Sequence, residues 1–93
     1  MITDFLGNSP RIKILEFLIW NRDKDHSISD IILGANVKYR NLVIILEDLI
    51  KKDMIYISRK VGKSNLYKVN EFNPYIESLI FASDLKRKEE TKP

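Results

Sequence analysis

Side chains able to make and break bonds are few in this sequence and do not cluster. There is no cysteine, hence no thiolate nucleophile, no disulfide framework and no cysteine zinc site. The single histidine, His26, lies in the charged stretch Asn21 to His26, where a lone histidine reads as a solvated loop residue and not as a catalytic base or metal ligand. No carboxylate pair is set for acid–base work, and Gly7, Gly34 and Gly62 form no phosphate-cradling motif. Serines beside the turns read as caps whose hydroxyls bond backbone groups. The expectation is a chain that is not an enzyme and requires neither cofactor nor metal.

What does cluster is a set of cationic and amide side chains. Lys38, Tyr39, Arg40 and Asn41 are consecutive, with Asn36 just before them and Val43 and Ile44 just after; Arg59, Lys60, Lys63, Ser64 and Asn65 form a second group. Such groups do recognition chemistry. A guanidinium donates two parallel N–H bonds to guanine O6 and N7 or to a phosphate, a carboxamide pairs with adenine, and a branched apolar side chain packs on a thymine methyl.

The elements that must position these groups can be read from caps and periodicity. Asn8-Ser9-Pro10 supplies a cap and a proline whose fixed φ suits the first helical position, so a helix is expected to about Trp20. Its apolar residues (Ile12, Ile14, Leu15, Phe17, Leu18, Ile19) cover more than one stripe, which predicts a central helix contacted on two sides. Ser27-Ile28-Ser29-Asp30 caps a short helix ending near Leu33, with Gly34 placed as a left-handed stop. After the tight connection Gly34-Ala35-Asn36, Asn36 is expected to cap a helix from about Val37 to Lys52, buried along Leu42, Ile45, Leu46 and Leu49.

Beyond Asp53 the period falls to two. Ile55 and Ile57 alternate with Tyr56 and Ser58, Val61-Gly62-Lys63-Ser64 makes a turn, and Leu66 to Val69 returns as a second strand. Tyr67 reads there as a packing residue, because a two-stranded hairpin offers little platform for stacking bases. Asn73-Pro74 repeats the cap and proline signal and begins a last helix to about Arg87. The fold class is thus mainly α with a small β-hairpin.

Resolving the charge along this frame sharpens its meaning. The 93 residues carry only +3 overall, but Lys38 to Lys68 holds eight basic residues against three acids, a local +5 against −2 elsewhere. That is the electrostatic footprint of a polyanion binder. Advancing about 100° per residue from the buried face, the outward face of the third helix centres on Arg40 and Ile44, with Val43 and Glu47 beside them and Lys38, Tyr39 and Asn41 at the flanks of the first turn. Arg40, Asn41, Val43 and Ile44 are the expected base readers. Asn36, Lys38, Tyr39, Arg59, Lys60, Lys63 and Ser64 are expected on the backbone or in a groove, since phosphate contacts set register without reading sequence.

The order helix, helix, turn, recognition helix, two-stranded wing, last helix resembles the winged helix-turn-helix DNA-binding family over nearly the whole chain. Leu6-Gly7-Asn8-Ser9-Pro10-Arg11-Ile12-Lys13-Ile14-Leu15 and, more particularly, Leu46-Glu47-Asp48-Leu49-Ile50-Lys51-Lys52-Asp53-Met54-Ile55 carry the likeness. Asp53 departs from it, standing where such families usually place glycine. Within the family the sequence is similar to small archaeal regulators of the MarR, ArsR and PadR type, and to the site-binding proteins of archaeal plasmid partition systems.

The resemblance implies one winged helix-turn-helix domain over 1–93, with the helix-turn-helix at about 27–52, the wing at about 54–69 and a dimerisation helix at about 74–87. It implies double-stranded DNA as partner and transcriptional regulation as role, with plasmid-site marking or protein adaptation as alternatives. The last helix has apolar residues over a wide arc, and Phe5 and Leu6 add more, so Phe5, Leu6, Tyr75, Ile76, Leu79, Ile80 and Leu85 are expected at a homodimer interface. A two-fold dimer calls for a palindromic site with half-sites roughly 34 Å apart. A further transcription or partition protein would be a partner in the corresponding role. No run of roughly 18 apolar residues predicts a membrane span, and Met1 to Gly7 has no basic region typical of a secretory leader. The expected location is cytoplasmic and nucleoid-associated.

Overall fold

Four helices and one hairpin follow each other in the order α1 (Pro10–Trp20), α2 (Ile28–Ala35), α3 (Tyr39–Lys51), β1 (Ile55–Val61), β2 (Ser64–Val69) and α4 (Pro74–Thr91). The computed structural model describes residues 9–91, and side chains over 9–85.

Helix α1 opens as its sequence dictates: Pro10 occupies the first turn and Ser9 Oγ accepts the Ile12 N–H at 3.3 Å. It is the central element, touching α2, α3, α4 and β2. Ile14, Leu15 and Ile19 are wholly buried on it, together with Ile31, Leu42, Leu49, Ile55, Val69 and Ile76 from the elements around it. Helix α2 starts with a reciprocal capping box, the Asp30 N–H donating to Ser27 Oγ (3.2 Å) and the Ser27 N–H to Asp30 Oδ2 (3.1 Å).

The end of α2 differs from the sequence expectation. The helix does not stop near Leu33 with Gly34 as its left-handed residue; it continues to Ala35, and Asn36 takes the left-handed conformation at φ 55. Gly34 is glycine for space. A Cβ built there would fall 2.0 Å from Phe17 Cε1, so the Phe17 ring occupies the volume a side chain would need. Because Asn36 ends one helix, it cannot cap the next. Helix α3 starts two residues later than expected, at Tyr39, with Lys38 at the N-cap and no side-chain cap bond. Its inward face is Leu42, Leu46 and Leu49, with Ile45 partly buried against them.

Between α3 and β1, Asp53 adopts φ 60, the conformation that glycine favours at this turn. Its carbonyl accepts from the side-chain amides of Asn70 (3.0 Å) and Asn73 (3.1 Å), which hold the turn in place without a glycine. Strands β1 and β2 pair antiparallel from Ile55↔Val69 to Val61↔Ser64 around Gly62 and Lys63. Gly62 has φ 61 and Lys63 has no positive φ, the pattern of a type II′ hairpin turn. The register slips between Ile57 and Arg59, making Ser58 the extra residue of a β-bulge. Ile57 is exposed, so the expected alternation fails beyond Ile55.

On its other edge β2 pairs with His26: the His26 N–H donates to the Tyr67 carbonyl (3.0 Å) and the Tyr67 N–H to the His26 carbonyl (2.8 Å). His26 is therefore no solvated loop residue. Its ring meets Phe17 edge-on at 4.9 Å, and its Nε2 donates to the Asn21 carbonyl at 2.9 Å. Tyr67 is buried, as a packing residue should be.

Helix α4 runs four residues past its expected end. Asn73 Oδ1 caps it, accepting from the Tyr75 and Ile76 N–H groups at 2.8 and 3.3 Å. Trp20 Nε1 donates to the buried Ser83 Oγ, and Arg22 Nη2 to Asp84 Oδ2 at 3.0 Å, pinning α4 to the end of α1. Among the described residues, no helix is long and apolar enough to cross a membrane.

The Phe17 contact yields a stability prediction. Alanine is the better helix former by about 1 kcal/mol, but overpacking costs about 1 to 3 kcal/mol, and His26 restricts the ring's retreat. Gly34→Ala is expected to lower unfolding stability by about 1 kcal/mol, and Phe17→Leu/Gly34→Ala to recover part of that loss relative to Phe17→Leu alone, as read by urea titration. Equal destabilisation by Gly34→Ala in both backgrounds would disprove the steric explanation.

Candidate nucleic-acid interface

Helix α3 offers one face to solvent because the other is consumed by the core. Burial of Leu42, Leu46 and Leu49 leaves Arg40, Asn41 and Glu47 exposed, with Tyr39 62% and Ile44 64% exposed. Both are large apolar or amphipathic side chains that burial would favour by roughly 1.5 to 3 kcal/mol each, so the helix carries two uncovered contact residues beside an arginine. Val43 is half-buried and presents only part of its surface. Lys38 and Asn36 are exposed at the approach to the first turn.

The hairpin supplies the second group. Lys60, Lys63 and Ser64 are exposed around the turn, while Asn65 is half-buried. Among the described residues Lys38, Arg40, Lys60 and Lys63 form no ion pair. Their charge is therefore open to an incoming anion.

Arg59 is different. Its Nε donates to Asp25 Oδ2 at 2.8 Å and its Nη2 to Asp25 Oδ1 at 3.3 Å. Ser58 Oγ donates to the same Oδ2 at 2.6 Å. Consecutive strand residues ordinarily point to opposite faces, yet here the bulge at Ser58 brings both side chains to one carboxylate. The Arg59 and Ser58 hydrogen bonds hold the Asp25 carboxyl down to about 2, and Asp25 in turn raises the Arg59 guanidinium above its usual range. Sequence reading treats Arg59 as a free cation and passes over Asp25. The pair is separated by 34 positions, and Asp23-Lys24-Asp25 has no pattern that would single out its last member.

A second cluster joins the beginning of α1 to the end of α3. Arg11 Nη2 meets Asp48 Oδ2 at 2.5 Å and Lys52 Nζ the same oxygen at 3.1 Å, the Arg11 bond being the main reason the Asp48 carboxyl titrates below its ordinary value. Lys52 is thereby committed to the fold, and part of the sequence-level charge surplus with it. Among the described residues no three His, Asp or Glu side chains gather where a metal ion could sit.

The expected homodimer surface divides. Ile76 and Leu79 are buried in the protein's own core, because the inner face of α4 closes over α1, and so are not free for a partner. Ile80 is partly buried, whereas Tyr75 and Leu85 are exposed along with Phe81, at 68%. Phe81 was not among the residues expected there. It stands between two shallow grooves, one walled by Ile80, Asp84 and Leu85 and the other by Pro74 and Ser78, with Glu77 lining both. Phe5 and Leu6 lie outside the described residues.

A capped helix pair, an exposed third helix and a hairpin attached to the core by its second strand define the fold as a winged helix-turn-helix. Among solved structures the chain is similar to Sso10a-2, a DNA-binding protein from Sulfolobus solfataricus, with 18% identity and a TM-score of 0.58 over 87% of this chain and 95% of that one. It is also similar to Rv0081 of M. tuberculosis, with 21% identity and a TM-score of 0.62 over 95% of this chain and 83% of that one. At these identities the likeness is one of fold. No protein-family model and no curated protein sequence matches the chain.

The Asp25 cluster sets a pH window. A carboxyl whose value falls on folding stabilises the native state above its unfolded value, and that contribution disappears as pH drops through the folded one. For Asp25 the window runs from the ordinary 3.8 down to about 2. Thermal midpoints of the wild type should exceed those of Asp25→Asn at pH 7, and the gap should close between pH 4 and pH 2. A gap of constant size over that range would rule out the carboxylate as its source.

Proposed function

We propose that this protein is a homodimer that binds double-stranded DNA sequence-specifically, without a catalytic role, and acts as a transcriptional regulator. The observation that carries this reading is the exposed face of α3, where Arg40, Asn41 and Ile44 stand uncovered on a helix anchored from behind, Arg40 forming no ion pair among the described residues. Sso10a-2, a DNA-binding protein, shares the fold. In this reading α3 enters the major groove, where Arg40 addresses guanine, Asn41 adenine, and Ile44 with the accessible part of Val43 the thymine methyl. Asn36, Lys38 and Tyr39 contact the flanking backbone. Arg59, Lys60, Lys63 and Ser64 lay the wing on phosphates or in the minor groove.

The α4 face of Tyr75, Phe81 and Leu85, with Ile80 at its edge, takes a second copy. A two-fold dimer presents two α3 helices about one DNA turn apart, roughly 34 Å, to a palindromic site. Such a protein works in the cytoplasm on the nucleoid. Regulator and partition-site marker use the same DNA contacts and differ in what they recruit and in whether they spread along the duplex.

The test is duplex binding titrated against salt. DNA contact predicts a log-log slope of roughly −0.9 per neutralised phosphate; a flat response with no low-salt affinity would point to a protein adaptor instead. Arg40→Ala should cost about 1 to 3 kcal/mol on the preferred site and relax selection at one base pair, whereas Lys63→Ala should weaken all duplexes alike and flatten the slope by about one unit. Equal losses for Arg40→Ala on preferred and random DNA would refute base reading. Footprints separate the roles: one protected palindrome fits a regulator, and protection spreading outward with concentration fits partition. Phe81→Asp should shift sedimentation from dimer to monomer; an unchanged dimer would remove α4 from the interface.

A further inference from the structure

The salt bridge beside the bulge of the wing has a geometry that its stability role does not require. Asp25 grips one edge of the Arg59 guanidinium, the edge formed by Nε and Nη2. A guanidinium has five N–H donors, and this contact engages two of them. The neighbouring end-on edge, with parallel donors on Nη1 and Nη2, makes no further hydrogen bond among the described residues. The Arg59 side chain is 65% exposed, whereas that of Asp25 is 16% exposed. The carboxylate is therefore the fixed partner and the guanidinium the presented one.

Asp25 is itself fixed twice. The neighbouring His26 is bonded through its backbone to Tyr67 of β2, and Ser58 Oγ donates to the Asp25 oxygen that Arg59 Nε also reaches. The bulge between Ile57 and Arg59 makes this convergence possible.

We infer that Asp25 is a positioning residue for DNA binding: it holds Arg59 so that the free guanidinium edge meets two oxygens of one backbone phosphate. The inference rests on the DNA-binding reading above. Two effects of Asp25 on a bound phosphate oppose each other. Its negative charge, on the neighbouring edge of the same guanidinium, repels the phosphate, and salt screens that repulsion only in part because Asp25 is mostly covered. Against this, an unrestrained arginine surrenders side-chain freedom on binding, and a fork aligned in advance surrenders less. Bidentate geometry rewards that alignment because both N–H bonds form together.

The test is a double-mutant cycle of Asp25→Asn and Arg59→Ala, read as duplex affinity at fixed salt with the full chain. Asparagine keeps an oxygen for Ser58 and nearly the same shape, and far-UV circular dichroism checks that each variant is folded. Asp25→Asn should weaken binding roughly three- to tenfold when Arg59 is present and less than about twofold in the Arg59→Ala background, a coupling of the size expected for contacting residues. Arg59→Lys, which keeps the charge and loses the fork, should also be insensitive to Asp25→Asn. Nitrogen-15 NMR of Arg59 Nε–H gives a readout without DNA: slow side-chain motion in the wild type and faster motion in Asp25→Asn. Tighter binding by Asp25→Asn would show that the carboxylate only neutralises Arg59 and would overturn the proposal, as would equal losses in both backgrounds or an unchanged Nε–H. Absence of salt-dependent binding by the wild type would instead bring down the DNA-binding reading itself.

Discussion

The ring of Phe17 occupies space that three parts of the molecule share. It lies against the backbone of α2 at Gly34, closer than any side chain there would permit, and it meets His26 edge-on. His26 is bonded through its backbone to Tyr67 of the hairpin. One aromatic side chain on the central helix thus sets how near α2 approaches and where the loop before α2 can run. That loop is the piece to which β2 attaches. Helix-turn-helix and wing are linked through this contact as well as through the connection from α3 to β1.

The charge of the interface is a consequence of that linkage. Eight basic residues between Lys38 and Lys68 suggest one undifferentiated patch, but folding sorts them. Lys52 is drawn into the Asp48 cluster with Arg11, and Arg59 is held by Asp25, while Lys38, Arg40, Lys60 and Lys63 pair with no carboxylate among the described residues. Exposed ion pairs contribute little to stability on their own, about 0 to 1 kcal/mol. Their greater effect is on geometry, since each decides which cation keeps its freedom and which is aimed. The same division applies to α4, whose inner residues Ile76 and Leu79 close the core while Tyr75, Phe81 and Leu85 remain outside.

Local chemistry was readable wherever cause and effect lie within one or two turns of chain. Ser9-Pro10 begins α1, Ser27 and Asp30 form their capping box, Asn73 caps α4, and the spacing of Leu42, Leu46 and Leu49 orients α3. The outward placement of Arg40 and Ile44 followed from that spacing, whereas Val43, expected beside them, is half-buried. Errors arose where a local rule had two solutions. Glycine is both the usual left-handed residue and the smallest one; at 34 its smallness matters, because Phe17 comes from another helix. Asn36 and Asp53 took the left-handed positions instead, Asp53 with amides from Asn70 and Asn73 on its carbonyl. The crowding at Gly34 is not visible without Phe17, nor the support of the Asp53 turn without Asn70 and Asn73.

By itself, the sequence determined the order of the elements, most of their starting points, the buried stripe of α3 and the segment of chain where positive charge accumulates. All of these depend on backbone propensity and short-range periodicity. Tertiary structure alone decided that Gly34 makes room for a ring and that His26 forms the outer edge of the sheet. It also decided that a bulge turns Ser58 and Arg59 toward Asp25, and that Phe81 stands outside while Ile76 and Leu79 do not. These depend on groups brought together from across the chain, the Asp25 and Arg59 pair across 34 positions, and no local pattern encodes which side chain arrives at a given place once the core has closed.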